Sequence, residues 1–225
     1  MLHSRLRSRS LVLALALVLL VSARSETALG LTIFGGAARP EAADVPVFDP
    51  TDYELGTAFS SSIAGRVTAP RVYVGPVEGA NPGSIVGTLW DAYGSVLGSA
   101  AFGPIVVGWN EVTLTSPIAI AAGTTYVVSA NTNAGTTGTG SYAFDSAGGA
   151  GFFGGGYVNG PLTATSGLFN TTPGAFPAST FPPSNGGSSY FRDVQFTPIP
   201  EPSMAMLLGL GLCAMGLGRR RRQGA

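Results

Sequence analysis

The sequence predicts an all-β protein built on a single β-sandwich domain with a jelly-roll-like pattern. Three observations carry that expectation. Glycine and proline supply 33 and 16 of the 225 residues, lysine is absent and glutamate is scarce, so helices lack their usual formers. No stretch of the middle region shows a 3.6-residue apolar period. Short β-branched or alternating runs recur there instead at spacings of roughly 8–12 residues, separated by turn signals.

The predicted strands occupy 54–60, 65–74, 84–90, 95–102, 110–115, 124–130, 141–144 and 190–196. In the last of these, Tyr190, Arg192, Val194 and Phe196 share one face, while Phe191, Asp193 and Gln195 share the other. Asp91-Ala92-Tyr93-Gly94 lies between two strand-like runs and reads as a hairpin turn, with Gly94 free to adopt positive φ. The segments 131–140, 146–156 and 183–189, rich in Gly, Ser and Thr, read as long surface loops of one domain spanning 44–197. Residues 31–43 read as a linker in front of it. No repeat of solenoid or propeller period is present.

Net charge is zero, but it is partitioned. Arginines crowd both ends, and the middle region 31–197 holds four arginines against ten acids, a net of −6. Phosphate neutralisation needs the opposite sign, so a nucleic-acid partner is excluded. The single histidine, His3, and the single cysteine, Cys213, both lie in terminal segments. The middle therefore has no means for Ser-His-Asp, Cys-His or Schiff-base lysine chemistry, nor for thiolate or imidazole metal sites. It has no disulfide framework either.

The two ends read as addresses. Arg5, Arg7 and Arg9 precede an apolar run of 11 residues, 11–21, followed by the small residues Ser22 and Ala23. This is the pattern of a secretory signal peptide over 1–23; cleavage after Gly30 is the second choice. At the other end, Pro200-Glu201-Pro202 is followed by an apolar run of 15 residues, 204–218, and by Arg219, Arg220, Arg221 and Arg222. As a helix the run is about 22 Å long, short against a hydrocarbon core of about 30 Å, with snorkelling arginines making up part of the difference. The arginine cluster would stop transfer and stay cytoplasmic, which places 31–197 outside.

The order of motif, apolar helix and arginine cluster over 199–222 resembles the PEP-CTERM sorting signal of Gram-negative bacteria that make extracellular polysaccharide. That resemblance implies an exosortase-type processing enzyme as partner, with Pro200, Glu201 and Pro202 as its recognition motif. It also implies an inner-membrane anchor before processing, then the cell surface or extracellular matrix. A second resemblance covers about 44–197. It rests on the runs Tyr53-Glu54-Leu55-Gly56-Thr57-Ala58-Phe59, Gly87-Thr88-Leu89-Trp90 and Gly108-Trp109-Asn110-Glu111-Val112. Ala122-Gly123-Thr124-Thr125-Tyr126, Asn159-Gly160-Pro161-Leu162 and Tyr190-Phe191-Arg192-Asp193-Val194-Gln195-Phe196 complete it. The region is similar to a β-sandwich domain of unknown function found in bacterial surface and secreted proteins, often beside carbohydrate-active modules. The family pattern has a hydrophobic residue where Arg192 stands, and it supplies no catalytic residues.

Two kinds of site are expected from residue type. Asp49, Asp52 and Glu54 place three carboxylates within six residues, a hard-oxygen set of the sort calcium takes, although Asp49-Pro50-Thr51-Asp52 reads equally as a solvated turn. Trp90, Tyr93, Trp109 and Tyr157 are the candidate aromatic contacts for a glycan; packing in the core is the competing fate of the two tryptophans. No motif frames a carboxylate pair of the glycosidase kind. The sequence thus points to a non-enzymatic exported surface or matrix protein, without a cofactor unless calcium binds. The alternative is a carbohydrate-binding module for an extracellular polysaccharide.

Overall fold

The structure, a computed structural model, describes residues 30–35, 51–75, 85–132, 142–145, 152–181 and 187–199. Within them lie ten strands and no helix. In chain order these are β1 (Glu54–Ser61), β2 (Gly65–Val74), β3 (Val86–Asp91), β4 (Val96–Ala101) and β5 (Gly108–Glu111). They continue as β6 (Ile118–Ile120), β7 (Thr125–Asn131), β8 (Tyr157–Asn159), β9 (Leu162–Asn170) and β10 (Arg192–Pro198). The larger sheet has the order β4-β3-β7-β1-β9-β8, and the smaller has β10-β2-β5, with β6 also pairing β2. Every pairing is antiparallel. The all-β, two-sheet architecture predicted from the sequence is the one observed.

Alternation along each strand puts one apolar face of each sheet toward the other. Phe59, Leu89, Val128 and Leu162 of the larger sheet meet Val67, Val194 and Phe196 of the smaller in one buried cluster. The sheets approach closely at Gly87, where a Cβ would fall 2.7 Å from the Pro70 ring; only glycine fits there. Pro70 has no N–H to give, yet its carbonyl accepts from Val112, so the chain between β5 and β6 stays bonded along β2. The Asp91–Gly94 turn forms as predicted. Asp91 Oδ1 accepts from the N–H groups of Tyr93 and Ser95 at 2.8 and 2.9 Å, and Gly94 has φ 90°.

Four features differ from the expectation. Residues 31–34, read as the start of a linker, belong to the fold. Leu31 and Phe196 exchange two backbone hydrogen bonds of 2.7 Å on the outer edge of β10, Ile33 is buried, and Phe34 is 2% exposed. Of the predicted run 141–144, the described residues 142–144 form no strand, and Asp145 directly after them makes an isolated bridge to Ser189. The 110–115 strand is instead β5, which ends at Glu111. Strands β6, β8 and β9 were not anticipated at all. The β8–β9 hairpin closes through Gly160 (φ 58°) and Pro161, whose ring holds φ negative, the combination of a type II′ turn.

The last strand starts from an unusual backbone. Phe191 has φ 52°, a left-handed conformation that disfavours a side chain, by about 1–2 kcal/mol. The twist sends three consecutive residues to three places. Tyr190 turns to the end of the sandwich, Phe191 joins the rings around Phe34, and Arg192 enters the space between the sheets. Burial of Phe191, 2% exposed, offsets the strain.

Phe34 packs against Trp109, Phe153, Tyr157 and Phe191 at centroid distances of 5.4–6.4 Å. Truncating it empties the centre of that cluster, so Phe34→Ala is expected to cost about 3–5 kcal/mol, read as a lowered urea midpoint. A midpoint shift below about 1 kcal/mol would show 31–34 to be a loosely attached arm. The Thr57 hydroxyl lies buried with no hydrogen-bond partner among the described residues. Thr57→Val keeps the shape and removes the desolvated group. It is expected to stabilise by about 1 kcal/mol, measured the same way.

Candidate aromatic site at the end of the sandwich

One end of the sandwich, where β1 begins, β9 ends and β10 is about to begin, holds a cavity of about 320 Å³ lined almost entirely by rings. Tyr53 stands immediately before β1, and Leu55, two residues on, points the same way. Phe169 is the register partner of Leu55 and is fixed by mutual backbone bonds with Ser179 of 2.8 and 3.1 Å. Tyr53 is fixed by Thr132, whose Oγ1 accepts from the Tyr53 N–H and whose N–H donates to the Tyr53 carbonyl. Tyr142 and Phe144 come from the connection after β7, held by the Asp145–Ser189 bridge, and Tyr190 follows that bridge directly. Phe181 sits at the rim, 57% exposed, with its carbonyl accepting from Ser188.

The rings meet edge to face. Tyr53 lies 5.8 Å from Tyr142 at 71° and 6.1 Å from Phe169 at 74°, and Tyr142 lies 5.9 Å from Tyr190 at 64°. These are the geometries the ring quadrupole favours. They leave flat faces and polar tips turned in different directions around one space. Burial, and then the neighbouring Tyr142 and Tyr53, push the Tyr190 phenol far above its ordinary range, so it stays neutral at every working pH. Among the described residues, no acidic or basic side chain lines the cavity.

Buried charged groups are held elsewhere, in two hydrogen-bonded networks. Asp193 Oδ1 accepts from the N–H groups of Ile33 and Val194 at 2.6 Å each, and Oδ2 accepts from Arg71 at 2.8 Å. Arg71 also reaches Glu111 at 3.3 Å and lies 4.8 Å from the centre of the Trp109 ring. Burial pushes the Asp193 carboxyl up to about 6, with Arg71 and the backbone donors pulling it down. In the other network Glu54 accepts from the Ser129 hydroxyl and from the Gly174 N–H, and Ser129 accepts from Trp90 Nε1 at 2.7 Å. Burial raises the Glu54 carboxyl, opposed by Ser129, Gly174 and Arg192. Arg192, fully buried, donates to the Tyr190 carbonyl at 2.8 Å.

The structure does not bring the four sequence-derived glycan candidates together. Trp90 is 4% exposed, covered by Phe176. Tyr93 is 94% exposed at the tip of the β3–β4 hairpin. Trp109 and Tyr157 are half-buried and both pack on Phe34. Of the calcium candidates, Asp49 lies outside the described residues, Asp52 is half-buried, and the Glu54 carboxylate is taken up as above. No group of three His, Cys, Asp or Glu side chains among the described residues is placed to hold a metal. Pro200, Glu201, Pro202 and Arg219 to Arg222, the signal peptide 1–23 and the apolar run 204–218 lie outside the described residues.

Sequence reasoning missed the cavity. Its lining comes from five separate segments; Leu55, Tyr142, Phe144 and Tyr190 stood on predicted strands, none with a ligand role assigned. The one available signal was the recurrence of aromatic residues just outside strand ends.

The fold and this ring-lined end define a two-sheet domain, without helix among its described residues, followed directly by a processing motif. The chain belongs to the family described as "Domain of unknown function (DUF4082)", which it matches over residues 37–191. Residues 198–222 match the PEP-CTERM protein-sorting motif. That motif implies recognition by an exosortase-type processing enzyme, and an exported protein with a C-terminal membrane-anchoring region before processing. No curated protein matches the chain.

The Asp193 carboxyl titrates near 6 when folded and about 3.9 when unfolded. Between those values the folded chain binds more protons. The stability from this group is therefore full below about pH 4 and lost as pH rises through about 6. Asp193→Asn removes that dependence, so the Tm difference between wild type and variant is expected to move in favour of the variant from pH 4 to pH 7. A difference that is constant over that range would contradict the assignment.

Proposed function

We propose that the protein is a non-enzymatic component of the cell surface or of an extracellular polysaccharide matrix, delivered there after an exosortase-type enzyme acts on its tail. The observation that carries this reading is the direct junction of folded domain and sorting motif. β10 ends at Pro198, and the Ile199 N–H donates to the Ala64 carbonyl at 3.1 Å, one residue before Pro200-Glu201-Pro202. Such a chain is a cargo domain with an address attached. The chemistry of the domain agrees with a non-catalytic role. Residues 31–197 hold no His, Cys or Lys, and Glu54 and Asp193 are engaged and buried.

A second reading, a carbohydrate-binding module, is favoured by the cavity of rings. Neither Trp90 nor the Phe34 cluster supports it, since their aromatic faces are occupied by other side chains. Mature protein from the producing cell is expected to lack residues 204–225, as read by intact-mass spectrometry, and replacing Pro200, Glu201 and Pro202 by alanine is expected to leave the tail on. An intact, arginine-terminated chain as the main surface form would refute the sorting route.

A further inference from the structure

We propose that the cavity at the end of the sandwich binds a short neutral saccharide, the terminal unit or two of a glycan, between Tyr53, Tyr142, Phe169, Phe181 and Tyr190. The proposal rests on the second reading above and gives it a site that none of the sequence-derived candidates occupies.

The chemistry of the lining selects the ligand by exclusion and by fit. Among the described residues the lining carries neither cation nor carboxylate, so an anionic or a cationic ligand would leave water there for a space with no opposite charge. A pure hydrocarbon would press against tyrosine hydroxyls and desolvate them without return. Three tyrosines, Tyr53, Tyr142 and Tyr190, stand close enough for the first two to raise the proton affinity of the third. A phenol hydroxyl both donates and accepts, so each retains capacity beyond a single partner. What fits is a neutral molecule with apolar C–H faces and a fringe of hydroxyls, which is the surface of a pyranose ring. The inclined walls suit it. Rings at 64° and 74° to their neighbours offer a stacking face on one side and polar edges on the next. Size sets the length. At about 320 Å³ the cavity stands at the lower end of the roughly 300–1,000 Å³ typical of small-molecule sites, so it takes a chain end rather than the flank of a long polymer. Phe181, more than half exposed at the rim, is placed as the outer stacking ring.

The test is isothermal titration of the full chain, held in a sugar-free detergent, with neutral di- and tetrasaccharides of glucose, galactose, mannose and N-acetylglucosamine. A glucuronate disaccharide and p-cresol serve as charged and apolar comparators. At least one neutral saccharide is expected to bind in preference to both comparators. Phe181→Ala, an exposed position, is expected to weaken that binding about tenfold with Tm unchanged, and Tyr142→Phe to weaken it several-fold by loss of one hydroxyl. If saccharide binds but neither variant weakens it, the site lies elsewhere: the proposal fails while the module reading stands. If p-cresol or glucuronate binds more tightly, the ligand class is wrong. If no neutral saccharide binds the wild-type chain, the proposal and the module reading fall together.

Discussion

A single buried carboxylate organises the smaller sheet. Asp193 takes hydrogen bonds from Ile33, from its own neighbour Val194 and from Arg71, joining three stretches that are far apart in the chain. A carboxylate removed from water is tolerable only when its oxygens are filled this way, and removing any donor leaves an expensive vacancy. The consequences run outward in order. The clamp fixes residues 31–34 on the edge of β10; Phe34 then fills the space under Trp109 and Tyr157; Phe191 closes that cluster through its left-handed turn. That turn in turn aims Tyr190 at the far end of the sandwich, so the ring-lined cavity inherits its shape from a charge that does not touch it.

Two of the strongest charges in the domain therefore serve packing. Arg192 lies fully buried between the sheets and ties β10 to its own approach through the Tyr190 carbonyl. Glu54 anchors the segment around Gly174 over the outer face of the larger sheet, with Ser129 and Trp90 completing the chain of bonds. Both arrangements exchange favourable hydration for a fixed geometry, an exchange that gives uniqueness more than stability.

The sequence was legible wherever period two was unbroken. β1, β2, β3, β7 and β10 lie close to where alternation puts them, and the Asp91–Gly94 turn is written in its residues. It was illegible where an extra residue breaks the period. β9 faces the core with Leu162 and Ala164, then a register shift opposite Ala58 and Phe59 moves the buried side to Gly167, so the run never alternates cleanly. The same slip occurs in β2 opposite Gln195 and Phe196, but there the surrounding valines still announce a strand. Residues 31–34 sat beside a cleavage signal, and nothing local says that Ile33 and Phe34 are core. The cavity was beyond reach for a different reason: Tyr53 and Tyr190 stand 137 positions apart, and only the sheet pairing makes them neighbours.

The direct junction between β10 and the sorting motif also limits how far the domain can stand from the apolar run. From Ile199 to Ser203 the chain can reach at most about 18 Å, a very short leash. In the membrane-anchored form that the motif implies, the end of the sandwich bearing Pro198 and Ala64 is thus kept within that reach of the apolar run. β10 rises about 20 Å from that end to Arg192, and Tyr190 lies beyond it. The Pro198 end is thus the tethered end of the sandwich, and the ring-lined end is the one farther from the tether.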